Sequence, residues 1–76
     1  MEKYGINVNR LKGKIVENGL SIATLAEKMG IDRATLYRRL ENSGAGLLVK
    51  DANLIVELLQ LTSEDAVSIF FPQLVA

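Results

Sequence analysis

The sequence predicts an all-α domain of five helices, compact and single. Three observations predict it. Apolar residues recur at spacings of three and four through five successive segments. The segments are separated by short clusters of Gly, Asn, Ser and Thr, the residues that cap and turn helices. No stretch alternates apolar and polar residues in the manner of a strand, and no repeat, linker or low-complexity tract interrupts the 76 residues. A chain of this length is near the lower limit for one self-sufficient core, and its 49% apolar content supplies that core from its own side chains.

The first helix is expected at about 8–18, where Val8, Leu11, Ile15 and Val16 recur at helical spacing and Asn18-Gly19 stops it. Gly13 in its interior costs up to about 1 kcal/mol against alanine and reads as tolerated rather than as a close approach of another helix. The second helix, 22–29, has Ser21 as N-cap, a Leu20–Leu25 staple across its first turn and a buried stripe of Leu25, Ala26 and Met29. Gly30 follows, where a sharp turn needs a left-handed backbone. Asp32 is then placed to cap a third helix, 33–41, with Ile31 and Leu36 repeating the staple. After the turn-forming run Glu41-Asn42-Ser43-Gly44-Ala45-Gly46, a fourth helix, 49–60, is marked by Leu47, Val49, Ala52, Ile55, Val56 and Leu59; its start shows no obvious side-chain cap. The fifth, 63–71, opens on Thr62 and Asp65 as a near capping box, turns Ala66, Ile69 and Phe70 inward, and ends before Pro72. An apolar tail occupies 72–76.

Composition narrows the function. There is no cysteine and no histidine, which removes disulfides, thiolate sites and the commonest metal ligand and general base. The acidic pairs Glu64-Asp65 and Glu41 with Asp51 fit caps and solvated faces. The expectation is a non-enzyme with no cofactor, no metal and no small-molecule substrate. The segment MEKYGINVNRLKGK lacks an apolar core of signal-peptide length, and no run approaches the ~18 apolar residues of a membrane span, so a cytoplasmic protein without a membrane partner is expected.

Net charge is zero but unevenly distributed. Residues 1–39 carry eight cations against four anions, a balance of +4, and residues 40–76 carry one cation against five anions, a balance of −4. Such a dipolar domain can turn a basic face to a phosphate backbone and keep its acidic part in water.

Two capped, stapled helices joined by Gly-Ile, the second rich in arginine, form the sharpest motif in the chain. Residues 20–41, LSIATLAEKMGIDRATLYRRLE, resemble the helix-turn-helix of the lambda-repressor-like, Cro-type DNA-binding domains, with Ala26 at the tight crossing, Gly30 in the turn, and Leu25, Ile31 and Leu36 as core positions. LKGKIVENG before it, TLYRRL within it and LLQLTSEDAVSIFF after it are similar to small Cro-like regulators of phages and prophages, so the resemblance covers most of residues 8–71. It implies an all-helical repressor or switch of transcription that binds operator DNA, commonly as a homodimer. Two positions depart from the pattern. Ile22 stands where these domains often have a phosphate-touching glutamine, and Arg39 takes a position more often apolar, with Leu40 supplying the core contact from the next one.

With Leu36 and Leu40 facing inward, the outward residues of the third helix are Arg33, Ala34, Tyr37 and Arg38. Either arginine can grip guanine O6 and N7 as a fork, Ala34 can touch a thymine methyl, and Tyr37 can donate to a base or a phosphate. Arg33 also sits at the positive end of the helix dipole, a placement costing about 0.3–1 kcal/mol that makes more sense for binding than for stability. Thr35 and Arg39 read as phosphate contacts or partly buried supports. Ser21, Lys28, Asn42, Ser43 and the backbone near Gly44 complete the phosphate set, since such contacts fix register without reading sequence. Phe71, Leu74 and Val75 either fold back on the first or fifth helix or form a two-fold dimer interface that sets two recognition helices about 34 Å apart. A second function class stays open on these residues: the same scaffold used as a protein-interaction module, of antitoxin or anti-repressor kind, with the outward helix face bound to another protein.

Overall fold

Helix ends in this chain are set by local hydrogen bonds, and the regular backbone of each helix ends within a residue or two of the place the sequence predicts. The computed structural model describes residues 5–75 and contains α1 (Val8–Glu17), α2 (Ile22–Met29), α3 (Arg33–Gly44), α4 (Val49–Leu59) and α5 (Ser63–Phe70), followed by a single 3-10 turn at Pro72–Leu74. No strand occurs among the described residues, and none of their helices is long and apolar enough to cross a membrane. Ala76, the last residue of the predicted tail, lies outside them.

Three helices end in the same way. A left-handed residue follows each: Gly19 (φ 74°), Gly30 (φ 77°) and Gln60 (φ 51°). The next N–H in each case reaches back five residues, from Leu20 to the Ile15 carbonyl, from Ile31 to Ala26 and from Leu61 to Val56, all at 3.0 Å. Leu20, Ile31 and Leu61 are thereby turned onto the core, which couples the stop signal to apolar burial. Gln60 does without glycine what Gly19 and Gly30 do with it.

α3 ends within one residue of its predicted end, at the predicted turn-forming run. Its regular backbone stops at Leu40, because Glu41 is extended (ψ 157°) and Asn42 and Ser43 are both left-handed, with φ of 54° and 59°. Gly44 (φ 77°) continues the reversal. The segment before α1 explains how this turn is held: the Ile6 N–H donates to the Ser43 carbonyl at 2.8 Å, and the Ile6 side chain lies over Gly44. Asn7 then donates to the Ile69 carbonyl at 2.7 Å and caps α1 by accepting from the Arg10 N–H at 3.1 Å.

The core draws Leu11 and Ile15 from α1, Leu25 and Ala26 from α2, Leu36 and Leu40 from α3, Ile55 and Leu59 from α4, and Ile69 and Phe70 from α5. Six of these aliphatic side chains are fully enclosed, each contributing about 1.5–3 kcal/mol by leaving water. Predicted stripe residues such as Met29, Leu47, Ala52, Val56 and Ala66 pack against it partly buried, and two lie outside it altogether. Val16 and Val49 are exposed, since each lies around the helix from the buried positions of its own element, Leu11 with Ile15 and Asp51 with Ile55. Gly13 is indeed tolerated, because a Cβ there would meet nothing within 4 Å. The tail turns back along α5, so that Val75 lies near Arg10 and Val67, yet Phe71, Leu74 and Val75 stay 53%, 71% and 51% exposed.

Candidate nucleic-acid interface

α2 and α3 pack on each other more closely than any other pair of helices. Ala26, with only a methyl, is fully buried in the same cluster as Leu25 and Leu36. The N-terminus of α2 is closed reciprocally: the Ser21 hydroxyl accepts from the Thr24 N–H at 3.2 Å, and the Ser21 N–H donates to Thr24 Oγ1 at 2.7 Å. Asp32 behaves differently. Its backbone takes the extended N-cap conformation, but its carboxylate accepts no hydrogen bond from the first turn of α3, which corrects the expectation that it caps the helix. What remains to it is a negative charge at the positive end of the helix.

On this frame Arg33, Ala34, Tyr37 and Arg38 are all exposed, and positions one, four and five apart bring them onto one side of α3. Leu36 and Leu40 take the opposite side and are buried. Arg38 makes one long contact, from Nη2 to Thr35 Oγ1 at 3.4 Å. Among the described residues no carboxylate oxygen lies within 4.0 Å of Arg33, Arg38, Lys12, Lys28 or Lys50. The other cations of the described residues, Arg10, Lys14 and Arg39, are engaged. Lys14 and Arg10 meet Asp65 at 3.1 and 3.4 Å, and Lys14 also meets Glu17 at 3.3 Å. The hydrogen bond to Asp65 is the main cause that raises the Lys14 pKa above its ordinary value, and the same contact lowers that of Asp65.

The predicted phosphate contacts separate into two groups. Ser21 and Lys28 are exposed at the two ends of α2, and Asn42 and Ser43 are exposed in the left-handed turn after α3. Gly44 is buried under Ile6, so the backbone at that residue is covered and does not extend the set. Thr35 is half-buried beside Arg38. Ile22 is half-buried against the core near Ile15 and Val16, in keeping with its departure from a polar residue.

Of the two roles open to Arg39, the geometry favours the support. Its Nη1 donates to both carboxylate oxygens of Asp51, at 3.0 and 3.1 Å, and only about a quarter of its side chain is exposed. Sequence reading assigns Asp51 to a cap or a solvated face; the solvated face is corrected, since Asp51 is 4% exposed and the buried charged residue of the described chain. Its signal was a register one: Asp51 stands four before Ile55 and eight before Leu59, on the buried stripe of α4. The same carboxylate accepts from the Leu48 N–H at 2.9 Å and so closes the start of α4, where no N-cap side chain was found.

Comparison with protein-family models, with curated proteins and with solved structures finds no match to this chain.

Proposed function

We propose that the chain is a sequence-specific, DNA-binding regulator of transcription, a repressor of the Cro type, which reads operator DNA in the major groove with α3. One observation carries the reading: the exposed side of α3 presents Arg33, Ala34, Tyr37 and Arg38 together, and neither arginine has a carboxylate partner among the described residues. A major groove about 12 Å wide admits one helix, and arginine forks on guanine are its commonest specific contacts. Ser21 and Lys28 flank this face from α2 and Asn42 and Ser43 follow it, as phosphate contacts that fix register.

In this reading the protein works in the cytoplasm as a homodimer and needs neither cofactor nor catalysis. The exposed Phe71, Leu74 and Val75 supply an apolar surface for the second copy.

The test is selection of bound sequences from a random duplex pool at two salt concentrations, with light scattering on the same protein and on a chain truncated after Phe71. An enriched palindrome whose binding weakens at higher salt supports the reading, and its half-site spacing gives the dimer geometry. A folded protein that enriches nothing assigns the outward face of α3 to a protein partner instead. A dimer that survives truncation removes Leu74 and Val75 from the interface.

A further inference from the structure

We infer that Arg39 and Asp51 form the tie that sets the pitch of α3 on the domain, so that Asp51, which faces no ligand, helps determine which DNA sequence is read. The inference rests on the DNA-reading role proposed above for α3.

In the last turn of α3 Leu40 reaches the core, and Arg39 beside it makes the polar tie to α4. Regular helix stops at Leu40, and the three residues that follow are extended or left-handed. α4 packs against α2 rather than along α3. Between α3 and α4 the described polar contact is the fork from Arg39 to both oxygens of Asp51. Asp51 is itself fixed, through the Leu48 N–H, to the first turn of α4. The intervening loop runs close to the same turn of α3, where a Cβ on Gly46 would come within 3.3 Å of Arg39 Cα. Arg39 also borders an open cleft of about 500 Å³ with Met29, Ile31, Lys50 and Leu54. The ion pair fixes the direction of its guanidinium.

A buried ion pair is a weak device for stability, because desolvation offsets much of its attraction; its better-attested use is to select one geometry among several. Here the geometry selected is that of Arg39, whose chain neighbours are Arg38 and, one further, Tyr37. A small rotation or tilt of this two-turn helix moves both side chains relative to base edges while leaving phosphate contacts at Ser21 and Lys28 in place. The pair therefore acts as a positioning element for readout.

The test compares wild type, Asp51→Asn and Arg39→Lys in three measurements: affinity for the enriched duplex, affinity for a random duplex, and the salt dependence of each, with helicity by circular dichroism as the folding control. Lysine keeps the charge but lacks the fork, and asparagine keeps an acceptor for Leu48 but lacks the charge. Both variants are expected to lower the ratio of the two affinities about tenfold, the discrimination of roughly one base pair, with random-duplex binding little changed. A pair that only stabilises would lower the melting temperature and leave the ratio intact, which overturns the inference. An arginine that touches phosphate also overturns it, by a different pattern: Arg39→Lys then resembles wild type, while Asp51→Asn binds both duplexes more tightly with a steeper salt dependence. If Asp51→Asn loses its helical signal, Arg39→Lys decides alone. A wild-type protein that enriches no sequence overturns the DNA reading, and this inference falls with it. The inference failing by itself shows instead as wild-type enrichment with unchanged ratios in both variants.

Discussion

The two sides of α3 differ in nearly every physical respect although they are built from adjacent residues. Leu36 and Leu40 are buried and Arg39 is held by Asp51, whereas Arg33, Ala34, Tyr37 and Arg38 are exposed and loosely held or free. Arg38 and Arg39 make the contrast sharpest, since two identical side chains one residue apart have opposite surroundings. The step of a helix, about 100° per residue, turns one to solvent and the other to α4. In the DNA-reading role proposed for α3, folding and recognition fall on different sides of one short helix, and changes on one side should leave the other's property alone.

The largest effect is expected from Leu36→Ala, which removes a fully buried side chain and should cost about 2–5 kcal/mol in urea unfolding. Tyr37→Ala, its neighbour on the exposed side, should stay within about 0.5 kcal/mol of wild type. Comparable losses from the two would break the division, by showing that Tyr37 packs on the domain.

A pair of glycines tests the same logic away from the binding face. Gly44→Ala forces a Cβ to within 2.5 Å of Ile6 Cγ1 at a backbone φ of 77°. It should destabilise by about 1–3 kcal/mol, as strain and overpacking act together. Gly13→Ala should stabilise by about 0.5–1 kcal/mol, because it adds a methyl in open space and removes backbone freedom from the unfolded chain. Thermal unfolding of both variants in one buffer checks the opposite signs.

How far the fold was legible depends on how local its causes are. Ser21, Gly30 and Pro72 mark helix boundaries in the sequence because a cap, a left-handed turn and a missing N–H act within a few residues. The turn after α3 was legible in its run of turn-forming residues, but what holds Asn42 and Ser43 left-handed was not, since the segment Gly5–Asn7 beside them is more than thirty residues distant in the chain. Val49 matched the apolar spacing of α4 but faces away, and Asp51 occupied the buried stripe without being apolar. Hydrophobic periodicity is blind to a charge that is buried because a partner on another helix neutralises it. Of the candidate site, the exposed and buried sides of α3 were readable from Leu36 and Leu40. The choice between the two roles of Arg39 was not, because it depends on where α4 passes.

On the exposed side, Arg38→Ala should cost about 1–3 kcal/mol on the enriched duplex and relax preference at one base pair, with unfolding unchanged. Lys28→Ala should weaken all duplexes alike and reduce the salt slope by about one. Identical profiles for the two variants would erase the distinction between base reading and phosphate contact, and so sharpen the comparison only if they differ.

The smallest effect should come from the ion pairs that join α1 to α5, well separated in the chain from α3. The Asp65 carboxyl is held below its usual 3.8, chiefly by Lys14, so the unfolded chain takes up that proton at higher pH than the folded one. Its contribution is therefore present above about pH 4 and fades as pH falls through the lowered value. Lys14 is held above its usual 10.5, chiefly by Asp65, so its contribution is present below that pH and fades as pH rises through the raised value. Between these edges the difference in melting temperature between wild type and Lys14→Met should be small and constant, because both groups are solvent-accessible and screened. It should shrink at both extremes, and the Arg10–Asp65 contact at 3.4 Å, common to both proteins, cancels in the difference. The same variant should keep the wild-type DNA preference. A change of preference on losing Lys14 would mean that α3 is positioned through α1 as well, and that the separation between the two sides of α3 extends less far into the domain than its contacts indicate.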